Sequence, residues 1–156
     1  MRLTIISGGQ TGVDRAALDA ALESGLSCGG WCPEGRQAED GPIPKRYPLR
    51  VLPGAGYRDR TRANVADSDA TLIVFFDEVE GGTALTLLDC LQLKKPFKLI
   101  DGDLVPPLQA AKAVTAFIRR HGPASLNVAG PRASKSPQAY AYTRRLLQTV
   151  FSQRIP

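Results

Sequence analysis

The run Leu72-Ile73-Val74-Phe75-Phe76 restricts the fold of this chain more than any other feature. Five apolar side chains in succession leave neither face of a strand for water, so helices must cover it on both sides. That pattern belongs to parallel sheets, whose strands need crossover connections, usually helical. The rest of the chain supplies them. Short aliphatic or β-branched runs at 3–7, 26–31, 49–52, 70–76, 97–100 and 126–129 alternate with helical patterns at 13–24, 57–67, 81–94 and 107–120. In the first helical pattern Val13, Ala16, Ala17, Ala20 and Ala21 share a face and Gly25 stops it. Gly122 closes the fourth, and Ser136-Pro137 suits the cap and first turn of a terminal helix. The expectation is one α/β domain over residues 1–156, a mostly parallel sheet flanked by helices in three layers.

Composition narrows the class. A hydrophobic share of 43% and a charged share of 22% exclude disordered and fibrous chains. No stretch reaches the ~20 apolar residues of a membrane span, and the opening apolar run meets Gly8-Gly9 too soon for a signal peptide. A cytoplasmic location away from membranes is expected. Cys28, Cys32 and Cys90 are an odd number without a secretion signal, which points to reduced, buried thiols. With His121 the single histidine, a closed four-ligand zinc site has too few partners. The net charge of +5 suits an anionic ligand. An aromatic share of 6% and no basic stripe argue against dedicated nucleic-acid binding.

In open parallel sheets, ligands bind beyond the carboxyl ends of the strands, and three motifs fall there. Ser7-Gly8-Gly9-Gln10-Thr11-Gly12 follows the first strand. Its glycines let backbone N–H groups approach a phosphate at a helix start, and Arg15 follows one turn into that helix. Thr11 and Asp14 have the spacing of a capping box, with aspartate as a short glutamate. It is neither a Walker loop nor GxGxxG, because Gln10 takes the middle glycine's place. Gly81-Gly82-Thr83 opens the third helix in the same manner, with Thr83 as its expected cap. Gly130-Pro131-Arg132-Ala133-Ser134-Lys135-Ser136 brings Arg132 and Lys135 before a helix start, with Ser134 and Ser136 able to donate to oxygen. The long loop at 32–48 adds Arg36, Glu39 and Asp40, the last two either paired carboxylates for acid/base work or simply solvated, and Arg60 and Asn64 lie one helical turn apart, able to face the pocket together.

These residues resemble a known family. The stretch Ser7 to Ala17, Gly30-Trp31-Cys32-Pro33, Ala38-Glu39-Asp40-Gly41, Arg60-Thr61 with Asn64-Val65, and Asn127 to Arg132 are similar, in the same order, to molybdenum carrier proteins. The resemblance spans nearly the whole chain. It implies a Rossmann-like domain shared with cytokinin-activating nucleoside-phosphate hydrolases and the DNA-processing protein of transformation. It further implies a carrier of molybdopterin, or a binder of a nucleotide-like ligand, in the glycine-loop pocket. The binding set is Gly8, Gly9, Gln10, Thr11, Gly12, Arg15, Gly81, Gly82, Thr83, Gly130, Arg132 and Ser134, with no catalytic or metal residue. Related folds pair their subunits, so a homo-oligomer is the expectation by analogy. The alternative is a nucleoside-phosphate hydrolase. Those hydrolases resemble one another around Pro-Gly-Gly-x-Gly-Thr-x-x-Glu. Here Glu80 stands in the proline place, the third glycine is missing and Thr86 replaces the final glutamate.

Overall fold

The computed structural model describes residues 2–54 and 56–153. Nine strands and five helices follow in the order β1 (Thr4–Ile6), α1 (Val13–Glu23), β2 (Cys28–Gly29), β3 (Trp31–Cys32), β4 (Gln37–Ala38), β5 (Gly41–Pro42), β6 (Arg50–Val51), α2 (Tyr57–Ala66), β7 (Ala70–Phe75), α3 (Gly81–Gln92), β8 (Phe97–Asp101), α4 (Pro107–His121), β9 (Ser125–Ala129) and α5 (Ala139–Phe151) among the described residues.

The central sheet has the order β2-β1-β9-β7-β8 and every pair in it is parallel. The last strand in sequence therefore lies in the middle. Ile5 pairs with Leu126, and Leu126 with Ala70. The alternation of β7 divides its apolar run between two layers. Ala70, Leu72 and Val74 join the cluster formed with α1, α4 and α5. Thr71 and Ile73, equally buried, face the layer of α2 and α3. This is the doubly covered parallel strand that the sequence predicts.

Three local expectations are corrected. The strand expected at 26–31 is broken at Gly30, whose φ of 136° is open chiefly to glycine. A Cβ there would lie 2.1 Å from the Ser7 carbonyl oxygen, so the chain turns against the first loop and restarts as β3, which pairs with β6. The loop at 32–48 is built rather than open. β4 and β5 form a hairpin, and the Arg36 guanidinium donates to the carbonyls of Ile43, Pro44, Tyr47 and Leu49. Beneath it Leu18, Cys32, Ile43, Tyr47 and Leu49 form a second apolar cluster. Finally, α5 begins at Ala139, because Ser136 and Pro137 form the turn before it.

Cys32 and Cys90 are buried and Cys28 half-buried, all as free thiols, and burial pushes each thiol up from its ordinary pKa. No helix is long and apolar enough to cross a membrane among the described residues.

Candidate functional site

A cavity of about 800 Å³ opens at the carboxyl ends of β1, β9 and β7, on the α2–α3 side of the sheet. The three predicted loops meet around it. Gly8 and Gln10, Gly81, Gly82 and Thr83, and Gly130, Arg132 and Ser134 all line it, with Lys135 and Ser136 beside them. Gly9, Thr11, Gly12 and Arg15 do not line it.

The first loop differs from its expected form in how its donors are used. The Gly9 amide donates to Ser7 Oγ, the Gln10 amide to Asp14 Oδ2 at 3.3 Å and the Thr11 amide to Gln10 Oε1 at 3.0 Å. The Val13 amide is taken by the Pro131 carbonyl. These amides bind protein oxygens, so the loop is not an open nest. The capping box is likewise absent, since α1 starts from Gly12 without a side-chain cap. The Thr11 hydroxyl instead donates to Glu39 and accepts from the Ala133 amide. Arg15 donates to the Gly9 carbonyl and grips Asp40 through two hydrogen bonds of 3.0 and 3.1 Å.

Glu39 is exposed, as the sequence suggests, but it is not free. It accepts from Thr11, from the Ser134 amide at 3.0 Å and from Ser134 Oγ at 2.6 Å, with Arg132 Nε 3.4 Å away. Hydrogen bonds from Ser134 and Thr11 hold its carboxyl below the usual range. Asp40 is lowered first by Arg15. Together these contacts clasp the β4–β5 hairpin to the first loop and to the turn after β9.

The start of α3 is different. Its cap position is Glu80, Thr83 sits inside the first turn rather than capping it, and no side chain bonds the amides of Gly81, Gly82 and Thr83. Gly81, Gly82 and Thr83 line the cavity at a helix N-terminus, where unpaired N–H groups and the helix dipole favour negative charge. Lys135 reaches across to Glu80 at 2.9 Å. Thr86, in the place of the hydrolases' glutamate, is buried and donates to the Gly82 carbonyl at 3.0 Å. It offers neutral chemistry where the hydrolases carry a carboxylate.

At the floor lie Asp14, Arg60 and Asn127. Asn127 points from the α2–α3 face of β9 and donates weakly to Thr71 Oγ1 at 3.4 Å. Asp14 is 6% exposed, and burial pushes its carboxyl up to about 6 against the pull of Arg60, the Gln10 amide and Arg15. Arg60 Nη1 stands 3.8 Å from Asp14 Oδ2. Asn64, expected to share the pocket with Arg60, lines it but spends its amide on the backbone of Trp31, accepting at 2.8 Å and donating at 3.0 Å. A polar Asn127 inside an apolar strand was the sequence signal for the floor. Tyr57 and Phe76 carried no such mark.

The wall holds carboxylates as well as cations: Asp77, Glu78, Glu80 and Asp103 stand at the mouth. Lys135 holds Glu80 down, while the hydrogen bond with Glu80 raises Glu78. No group of three or more His, Cys, Asp or Glu side chains is arranged to hold a metal ion among the described residues.

Among known proteins, residues 5–151 match the Circularly permutated YpsA SLOG family. The chain is also similar to a crystal structure, at 1.45 Å resolution, of a "putative molybdenum carrier protein" from Syntrophus aciditrophicus SB. The two share 46% identity with a TM-score of 0.92, over 94% of this chain and 93% of that one. No curated protein matches it.

Proposed function

Since the chain belongs to the Circularly permutated YpsA SLOG family, we propose that its cavity holds a phosphate-bearing small molecule, molybdopterin or a nucleotide, which the protein binds or carries. The observation that carries this reading is the uncapped start of α3, where Gly81, Gly82 and Thr83 line the cavity. Arg132 and Lys135 also line the cavity, Lys135 in an exposed ion pair with Glu80 and Arg132 in one with Glu39 beside a hydrogen bond of 3.1 Å to Ser134 Oγ, contacts that an incoming phosphate can replace. The name of the similar Syntrophus protein agrees with a carried molybdenum compound. Cavity volume agrees too, since about 800 Å³ is the size of a pocket for a nucleotide or a tricyclic pterin phosphate.

Thermal melts with molybdopterin, GMP and AMP, each beside a dephosphorylated counterpart, test it. A phosphorylated ligand at about 100 times its Kd stabilises the protein by about 2.7 kcal/mol, and loss of the phosphate removes most of the shift. Gly82→Asp sharpens the test, because nothing lies within 4 Å of a Cβ at Gly82. The new carboxylate takes the place of the phosphate at the helix start, stabilising the free protein by about 0.3–1 kcal/mol while abolishing the ligand shift. Absence of any shift with all three phosphorylated compounds overturns the reading.

A further inference from the structure

Arg60 and Asp14 are cavity groups whose bonding capacity the protein leaves largely unused. The Arg60 side chain is 14% exposed, yet its guanidinium makes no hydrogen bond to any described residue, and its buried Nε has no partner. Asp14 Oδ2 lies 3.8 Å away, an ion-pair distance too long for a hydrogen bond. Asp14 itself takes only the Gln10 amide, on Oδ2, and no described donor reaches Oδ1. Buried polar groups are almost always satisfied, so a buried pair with spare donors and acceptors on a cavity wall marks a place where a ligand completes the bonding.

The backbone is shaped around this pair. A Cβ on Gly8 would lie 1.6 Å from Arg60 Nη1 and 3.1 Å from Asp14 Oδ2, so only a glycine leaves room for the guanidinium there. Beside the pair the wall turns apolar and flat. Tyr57, one turn before Arg60 on α2, is 55% exposed, and the guanidinium stands 5.8 Å from its ring centre. Leu85 lines the cavity from α3, one turn beyond the free amides. An exposed aromatic face next to a buried donor–acceptor pair suits the face and edge of a planar heterocycle.

We propose that Asp14 and Arg60 read the edge of a 2-amino-4-oxo-pyrimidine ring, the edge that pterins and guanine share. Asp14 accepts the ring N–H and the amino N–H, and Arg60 donates to the oxo oxygen beside them. The order oxygen, N–H, N–H along that edge matches a guanidinium standing next to a carboxylate. Adenine offers an amino group and a ring acceptor there, with no oxo oxygen for Arg60 and no second N–H for Asp14. This assignment rests on the phosphate reading above and names the other end of the same ligand.

Calorimetric titration with GMP, IMP, AMP and molybdopterin tests it, on the unaltered protein and on Asp14→Asn and Arg60→Lys. GMP is expected to bind at least about tenfold more tightly than AMP, with IMP between them. Asp14→Asn is expected to cut GMP and molybdopterin affinity by about tenfold or more and leave AMP within about threefold. Circular dichroism melts of both variants establish that they fold. The ratio of molybdopterin to GMP affinity then decides between pterin and guanine as the source of the edge. Equal binding of GMP and AMP overturns the inference and leaves the phosphate reading standing. So does a GMP preference, or molybdopterin binding, that survives both substitutions. Binding of none of the four overturns both.

Discussion

Asp14 keeps its proton to a pH well above that of an exposed aspartate, and this has a consequence for the ligand-free protein. Burial raises the folded-state pKa from 3.8 to about 6, so above pH 6 the folded chain carries a charge it would rather shed. The unfolded chain does not share that cost. Between about 6 and 4 the folded state takes up a proton that the unfolded state still lacks, and the cost fades; below 4 both are protonated and none remains. Asp14→Asn mimics the protonated form and can still accept from the Gln10 amide. It is expected to raise stability at pH 7.5 by about 1–2 kcal/mol, less than the shift alone implies because Arg60 loses its ion pair. Denaturant melts at pH 7.5 and pH 4 check this, and a gain that persists undiminished at pH 4 contradicts it. The same substitution is expected to lose ligand affinity, the trade of stability for function common at binding sites. Gly8→Ala gives a second residue-level expectation. The methyl group displaces the Arg60 guanidinium, so ligand affinity falls more than about tenfold while the melting temperature moves by only a few degrees.

At the scale of elements, the sequence disclosed strands and helices better than it disclosed their ends. Periodicity located α1 and α4 to within a residue or two, because each has an apolar face that must pack on the sheet. It started the terminal helix two residues too early, since Ser136-Pro137 has the chemistry of a helix start and also of a turn. The glycine loops were visible as loops, yet the sequence could not show where their donors go. Thr11 and Asp14 have capping-box spacing, but a tertiary partner, Glu39, takes the Thr11 hydroxyl. Only the fold brings residues 39 and 134 together. The clasp they form has its own test. Glu39→Ala frees the β4–β5 hairpin from the Ser134 turn, and limited proteolysis is expected to cut within residues 37–42 several-fold faster. Global stability changes by no more than about 1 kcal/mol, because these groups are largely solvent-accessible. A cleavage rate equal to that of the unaltered protein would show that the Glu39 contacts are dispensable and that its own turn, Arg36 and the Arg15–Asp40 pair hold the hairpin.

For the whole molecule, composition was informative about class and silent about the layout of the site. A net charge of +5 suits an anionic ligand, yet it does not show that Asp77, Glu78, Glu80 and Asp103 line the cavity or that Arg132 and Lys135 are paired with acids. Net charge averages over a surface and does not report which loops converge. Strand order was hidden for a related reason: a parallel strand buried on both faces reads alike at the centre and near the edge. The position of β9 between β1 and β7 therefore emerges only from the structure, and it makes the C-terminal part of the chain indispensable to the sheet. Without β9, the three-residue β1 would keep only its short pairing with β2, and the β7–β8 pair would stand apart from it. Leu126 and Val128, together with Leu146, Leu147 and Val150 of α5, are fully buried in the main core, so their loss opens that core along its length. A fragment ending at residue 122 is expected to show no cooperative melting by circular dichroism. In the full chain, Leu126→Ala is expected to melt cooperatively with a loss of about 2–5 kcal/mol, the cost of a cavity in a rigid core. If the fragment melted cooperatively with near-native ellipticity, the N-terminal strands would be folding without their central partner, and the closing role assigned to β9 would be wrong.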